Sequence, residues 1–166
     1  NGKTERECVV QAVEFAEAKG YVNLKDIIKS NTPIKAGDKI YYTHMDKSIA
    51  LFNIGTDDIE LGMNILGAHI DSPRIDVKQN PQYEDSNLVF WDTHYYGGIK
   101  KYHWVAMPLA IHGVVVKTDG TRININIGDN ENDPVFCITD LLPHLGQEQM
   151  QKNAAKVIEG EALDLL

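Results

Sequence analysis

The sequence has little positive charge and no long apolar run, and each shortage excludes a class of protein. Its 166 residues include 16 Lys and Arg against 24 Asp and Glu, a formal net charge of −8. No general positive field is therefore available to attract the phosphates of nucleic acid. No window approaches the roughly 20 consecutive apolar residues that span a bilayer, and the first residues do not resemble a signal peptide. We expect neither a nucleic acid nor a membrane as partner.

Cysteine is scarce as well. Cys8 and Cys137 are the only two cysteines, and they lie far apart without forming a Cys-x-x-Cys pair. Neither a thiolate zinc cage nor a disulfide framework is indicated. A reducing compartment fits best, so we expect a cytoplasmic protein. The chain also begins without methionine and ends on "EGEALDLL" without an obvious closing element, so we expect a fragment of a longer protein.

Compact catalytic motifs are missing too. No histidine lies in an HExxH pair, and Ser72 has no GxSxG context. The acidic turn "GDNENDP" lacks EF-hand spacing and is expected to be solvated. Gly97 and Gly98 precede two lysines without the spacing of a phosphate loop, so they indicate a bulge or tight bend. His44 and His112 are interpreted as strand histidines, the second with a local hydrogen-bond partner.

The first 72 residues predict a mixture of helix and strand. Thr4 and Glu7 have capping-box spacing before an amphipathic helix that Gly20 ends, and "NLKDIIKS" adds a short helical turn. "KIYYTH" and "SIALFNIG" predict two neighbouring strands. "MNILGAHI", nearly continuously apolar, predicts a strand covered on both faces. This segment resembles part of an α/β sheet, in which ligand sites gather beyond the carboxyl ends of strands.

Beyond Pro73 the pattern becomes β-rich. "RIDVKQ", "NLVFW" and "LAIHGVVVKTDGTRININIG" predict strands, the last with a turn at Asp119-Gly120. A turn or short helix is predicted at Thr139 to Leu142, followed by a polar helix that ends at Gly160. The aromatic residues beside the two glycines fit a core or an interface equally well; they are Tyr95, Tyr96, Tyr102 and Trp104.

The end of the predicted buried strand carries the residues with the clearest chemistry. His69 and Asp71 are two apart, so in a strand both side chains point to one side. Imidazole is a good zinc ligand when a carboxylate or carbonyl holds its second nitrogen. The alternative is structural: His69 is then an ordinary histidine at a sheet edge, and Asp71 caps the turn at Ser72-Pro73.

Four segments in order, "GAHIDSPRIDVK", "THYYGGIKKYHW", "PLAIHGVVV" and "ITDLLPHL", resemble the aspartyl aminopeptidase family of zinc metallopeptidases, particularly its bacterial branch. Four ordered matches are far more specific than one. The resemblance implies that His69 is a ligand in a two-zinc site and that Asp71 orients it and supports catalysis. It also implies that His144, after a proline, reaches the active site of a neighbouring subunit.

The resemblance further implies the domain organisation. Residues 1–72 are expected to be the N-terminal part of a catalytic α/β domain, and residues 73–166 an inserted β-rich domain that builds a dimer and a dodecamer. The expected fold is thus a partial zinc-peptidase α/β sheet followed by an oligomerisation domain. The bridging aspartate, the glutamates and the last histidine of the family's Zn²⁺ site are absent from this chain, which alone should not hydrolyse peptides.

Two further functions stay open. One is a non-catalytic oligomerisation module that associates through residues 95–104. The other is a metal-dependent amidohydrolase that acts on N-acyl substrates instead of peptides with a free terminal amine.

Overall fold

The computed structural model of the protein describes residues 2–166, which divide into two compact units. The first unit ends at Ser72 and the second is Pro73–Leu166. Each combines small sheets with short helices, the mixed α/β character expected from the sequence. None of the helices among the described residues is long and apolar enough to cross a membrane.

The first unit begins with helix α1, Glu5–Ala18, as predicted. Thr4 Oγ1 accepts a hydrogen bond from the Glu7 N–H at 3.3 Å, and the Glu7 carboxylate accepts from the Thr4 N–H at 3.0 Å. This reciprocal pair is the predicted capping box, which satisfies two donors that a helix N-terminus leaves open. The buried face of the helix carries Val9 and Ala16.

A three-stranded sheet lies beside α1. Its strands are β1, Val22–Asn23, β2, Lys39–His44, and β3, Ser48–Asn53, and helix α2, Leu24–Ser30, follows β1. Strands β2 and β3 are antiparallel neighbours, as predicted, whereas β1 runs parallel to β2. Tyr41 of β2 is buried and donates its hydroxyl to Glu17 of α1 at 2.6 Å. The Glu17 carboxylate therefore raises the pKa of Tyr41.

The predicted buried strand "MNILGAHI" is wrong. After a short 3-10 turn, Ile59–Leu61, residues 62–73 form neither helix nor strand. The side chain of Leu66 is fully exposed and that of Ile65 is 79% exposed. A strand needs neighbours that accept and donate its backbone hydrogen bonds, and within residues 2–166 no strand pairs with this segment. Its apolar pattern is a local property, whereas its pairing depends on other segments.

The second unit is built on two antiparallel hairpins. Strands β4, Arg74–Asp85, and β5, Leu88–Tyr96, form the first, and strands β6, Ile111–Val116, and β7, Arg122–Ile127, the second. The register of the first hairpin shifts between Val77 and Gln82, a stretch that includes Pro81. Proline lacks the N–H that a regular ladder needs, so it is found at such irregularities.

The turns follow the sequence closely. Ser86 and Asn87 both have positive φ and close the first hairpin, the backbone geometry that suits the twist of paired strands. Gly120 with φ 85° closes the second hairpin at the predicted turn. Gly97 with φ 75° forms the predicted bend after β5, and a 3-10 turn, Lys101–His103, follows.

The polar helix predicted after Pro143 is mostly absent. Helix α3 covers only Gln147–Met150, and the chain then continues through turns to a 3-10 turn, Gly160–Ala162. No turn or helix covers the predicted Thr139 to Leu142 stretch, and the turn lies instead at residues 143–145. Tertiary packing explains why the predicted helix is short, because the side chain of Ile158 is buried in the core of this unit and the chain around it packs against that core.

The core of the second unit is closed by residues near its end. Leu163 and Ile138 are fully buried, and Leu165 exchanges two backbone hydrogen bonds with Trp91 of β5 at 2.8 and 3.0 Å. Leu165 is also bridged to Ile138. Leu165 thus forms an isolated β-bridge beside β5, which the sequence did not indicate.

Candidate metal centre

His69 and Asp71 lie together in the unpaired segment that leaves the first unit. The Nδ1 atom of His69 is 3.0 Å from the carbonyl oxygen of Asp71 and 3.3 Å from its Oδ1 atom. A carbonyl oxygen only accepts hydrogen bonds, so this contact requires the proton to be on Nδ1. The lone pair of the imidazole is then on Nε2, the nitrogen that is available to a metal.

The exposure of this pair fits the same role. The side chain of His69 is 84% exposed and that of Asp71 is 37% exposed, so Nε2 is open to other ligands and to a metal ion. A metal-binding histidine usually donates its other ring N–H to a carboxylate or a carbonyl, which fixes the tautomer. The residues present therefore fit one histidine ligand of a zinc site together with the group that orients it.

The described residues do not assemble a complete metal site. Among residues 2–166, no group of three or more His, Cys, Asp or Glu side chains is arranged to hold a metal ion. Catalytic zinc needs about three protein ligands and one open position. The described residues therefore offer one histidine, His69, that could serve as a single zinc ligand.

His144, the third predicted site residue, lies in the second unit. It sits in the exposed turn at residues 143–145, between β7 and α3. The backbone N–H groups of Leu145 and Gly146 both donate to the carbonyl of Leu142 at 2.9 Å, which fixes the turn. Exposed leucines flank the histidine on both sides; they are Leu141, Leu142 and Leu145.

A surface pocket of about 460 Å³ adjoins His144. Gln149 and Lys152 form part of its wall. Asp140 Oδ1 accepts hydrogen bonds from the Leu141 N–H at 2.8 Å and from Gln149 Nε2 at 2.9 Å. Lys152 Nζ donates to Glu159 at 2.9 Å and lowers the pKa of that carboxyl. The sequence indicated neither the Asp140–Gln149 pair nor the Lys152–Glu159 pair, because both pairs depend on how the chain turns after Pro143.

Two other histidines, His44 and His112, lie on strands. The side chain of His112 of β6 is 7% exposed, and its Nε2 atom lies 3.3 Å from Asp129 Oδ2. Asp133 accepts from the Gly128 and Asn130 N–H groups, which lowers its pKa and makes the acidic turn a self-capped loop. His44 ends β2 and its side chain is exposed.

Comparisons with known proteins agree over the whole chain. The family model described as aminopeptidase I zinc metalloprotease (M18) matches residues 1–165. A probable M18 family aminopeptidase 1 from Clostridium acetobutylicum is 55% identical over all of this chain, which covers 36% of that relative.

Solved structures give the same result. The crystal structure of an M18 family aminopeptidase from Thermotoga maritima matches 98% of this chain at 45% identity with a TM-score of 0.87. That of aminopeptidase I from Clostridium acetobutylicum matches 99% at 55% identity with a TM-score of 0.85. The chain spans 35% and 36% of these two proteins, about a third of their length.

Proposed function

This chain belongs to the M18 family of aminopeptidase I zinc metalloproteases, and we propose that it acts within a longer enzyme that removes N-terminal residues from peptides. The match of the family over residues 1–165 carries the proposal. The His69–Asp71 geometry supports it, because it presents one imidazole nitrogen in the state that binds zinc.

His69 and Asp71 have distinct tasks in this proposal. His69 Nε2 would bind the zinc ion, while the backbone carbonyl of Asp71 accepts the Nδ1–H hydrogen bond and keeps the ring in one orientation. Zinc, when bound, polarises the peptide carbonyl and lowers the pKa of water. We expect two zinc ions per complete site, with an aspartate, glutamates and a second histidine contributed by the remaining two thirds of the enzyme.

The two units are proposed to have separate roles. Residues 1–72 form the N-terminal part of the catalytic α/β domain, and residues 73–166 form an inserted domain that builds a homodimer and a larger, dodecameric assembly. Exposed apolar side chains on the β6–β7 hairpin support an interface; they are Val115, Val116 and Ile123. His144 of this domain is proposed to reach the active site of a neighbouring subunit.

The substrate is proposed to be a peptide with a free terminal amine. In an aminopeptidase this amine contacts the metal site, so that N-acyl peptides should be rejected. The resemblance to aspartyl aminopeptidases makes acidic N-terminal residues the first substrates to examine. The proposed location is the cytoplasm, in keeping with the free thiols of Cys8 and Cys137.

The first prediction is that His69→Ala removes zinc and activity from the full-length enzyme. Deleting partners behind a metal ligand costs about 10- to 100-fold in metal affinity or activity, so we expect deletion of the ligand itself to lower kcat/KM by at least about 100-fold. Asp71→Asn should give a smaller loss. Bound zinc is measured per chain, and release of N-terminal residues is measured on free and N-acetylated peptides.

The matched control is His44→Ala, which removes an exposed histidine from the same unit. We expect this variant to keep its zinc and its turnover. Full zinc content and turnover in His69→Ala would disprove the ligand role. Faster hydrolysis of N-acetylated peptides than of free ones would favour the amidohydrolase over the aminopeptidase.

A further inference from the structure

A side-chain hydrogen bond closes the loop that carries His144. The Oδ1 atom of Asp140 accepts from Gln149 Nε2 at 2.9 Å, and the same oxygen accepts from the Leu141 N–H at 2.8 Å. The bond joins two residues nine positions apart in the sequence, and His144 lies between them. The start of the loop is therefore tied to the helix α3 that follows it.

Gly146 packs inside this closed loop. It is buried, and a Cβ atom at this position would lie 2.9 Å from Gln149 Oε1 and 3.4 Å from the Leu141 side chain. Glutamine can normally move away from such a contact, but here its amide is held by Asp140. A side chain at position 146 would therefore push Gln149 away from its partner. The glycine and the hydrogen bond together define one conformation of the loop.

His144 is exposed at the turn of this loop, while its supports are at the loop base. Within residues 2–166, no hydrogen bond or ion pair restrains its side chain, so the loop backbone sets the position of its Cβ atom and the ring samples the rotamers that this position allows. We propose that Asp140 and Gln149 are positioning residues, which fix the loop so that His144 is presented to the active site of the neighbouring subunit. This inference rests on the proposed role of His144.

The Asp140–Gln149 hydrogen bond is expected to affect turnover by fixing the position of the loop that carries His144. A loop that is already ordered does not lose conformational freedom when it meets its target. A displacement of about 1 Å at a reacting group costs up to about 100-fold in rate. We therefore expect that opening the Asp140–Gln149 bond lowers kcat/KM between about 10-fold and about 100-fold, with zinc content unchanged.

The test is a double-mutant cycle on the full-length, zinc-loaded enzyme with Gln149→Ala, His144→Ala and the double variant. If Gln149 acts through His144, the double variant should have the same kcat/KM as His144→Ala alone. Gln147→Ala is the matched control, because it removes an exposed glutamine from the same helix turn and should leave kcat/KM unchanged. Zinc content and the thermal midpoint are measured for every variant.

Substitutions at Asp140 test the same bond from its other end. Asp140→Asn keeps the Oδ1 acceptor and should retain activity, whereas Asp140→Ala should match Gln149→Ala. If Gln149→Ala fails to fold, Asp140→Asn combined with Gln149→Glu exchanges donor and acceptor and should restore the activity that Gln149→Glu alone loses.

Three results would overturn the inference. The first is a kcat/KM for Gln149→Ala equal to that of Gln147→Ala, and the second is losses that multiply in the double variant. In both cases His144→Ala can still lower turnover, so that the proposed role of His144 survives. The third is an unchanged kcat/KM in His144→Ala, which overturns that role and the inference together, while the zinc ligand role of His69 is tested separately.

Discussion

Among single residues, Asp164 connects the C-terminal segment to the β4–β5 hairpin. Its Oδ2 atom accepts a hydrogen bond from the Tyr83 hydroxyl at 2.6 Å, and its Oδ1 atom accepts from the Thr93 N–H at 3.3 Å. Thr93 is buried and donates its hydroxyl to the carbonyl of Leu163. The hydrogen bond to the Asp164 carboxylate raises the pKa of Tyr83 from 10.0 to about 12.

This contact predicts a loss of stability at high pH. Because the pKa of Tyr83 is higher in the folded protein, the folded state holds the phenolic proton more tightly. The stabilisation is complete below pH 10 and is lost as pH rises towards about 12. Tyr83→Phe should lower the free energy of unfolding by about 0.5 kcal/mol, the low end for a hydrogen bond at an exposed site. Urea unfolding below and above pH 10 measures both effects.

Tyr102→Phe is the control for this prediction. Tyr102 has a similar exposure, and its hydroxyl has no hydrogen bond to the described part of the chain. Its removal should leave the pH profile of the unfolding free energy unchanged. Equal profiles for Tyr83→Phe and the unaltered protein would show that Tyr83 does not titrate differently in the folded state.

At the scale of elements, helix α1 depends on its capping box. Thr4 and Glu7 satisfy each other's backbone N–H groups at the N-terminus, and the first turn also carries Glu5, whose charge is favourable there. The buried side of the helix is narrow, with Val9 and Ala16 as its buried residues. A helix with limited packing relies more on its termini.

We therefore predict that Thr4→Ala lowers the free energy of unfolding of the first unit by about 1 kcal/mol. Thr4→Ser is the matched control, because serine keeps the hydroxyl that accepts from the Glu7 N–H. Urea denaturation monitored by circular dichroism measures the change. Equal midpoints for the alanine and serine variants would rule out a contribution from the cap.

The whole molecule exposes an apolar segment, Gly62 to Leu66, that follows the first sheet. Leu66 is fully exposed, and Met63 and Ile65 are mostly so, although their sequence has the pattern of a buried strand. The chain spans 36% of the length of the relative from Clostridium acetobutylicum. We propose that strands of the longer enzyme proposed above pair with this segment and cover it.

This proposal predicts that Leu66→Glu has a small effect on the 166-residue chain and a large effect on the proposed full-length enzyme. In the chain of 166 residues, the free energy of unfolding should change by less than about 0.5 kcal/mol, since an exposed side chain loses no burial. In the full-length enzyme, the same charge should cost about 2 kcal/mol or more, because it would be placed between covered faces. Chemical denaturation of both proteins measures the two values.

Leu163→Ala is the reference for burial within the chain itself. Leu163 is fully buried in the core of the second unit, so its truncation should cost about 2–5 kcal/mol. A large destabilisation of the 166-residue chain by Leu66→Glu would mean that residues 62–66 pack within the chain after all.

The sequence by itself determined the local elements and the local part of the site. The capping box, the turn at Asp119-Gly120 and the pairing of β2 with β3 involve residues that are close together in the chain, and the structure confirms each. The proximity of His69 and Asp71 is local too, because only Ile70 separates them in the sequence.

Tertiary structure decided what depends on distant segments. It left residues 62–68 without partner strands, and it shortened the predicted polar helix because Ile158 is drawn into the core. It also brought Leu165 beside Trp91 and Gln149 beside Asp140. These contacts leave no periodic signal in the sequence. Backbone pairing and a single polar hydrogen bond depend on which segments the fold brings together, and not on the residue types on either side of the contact.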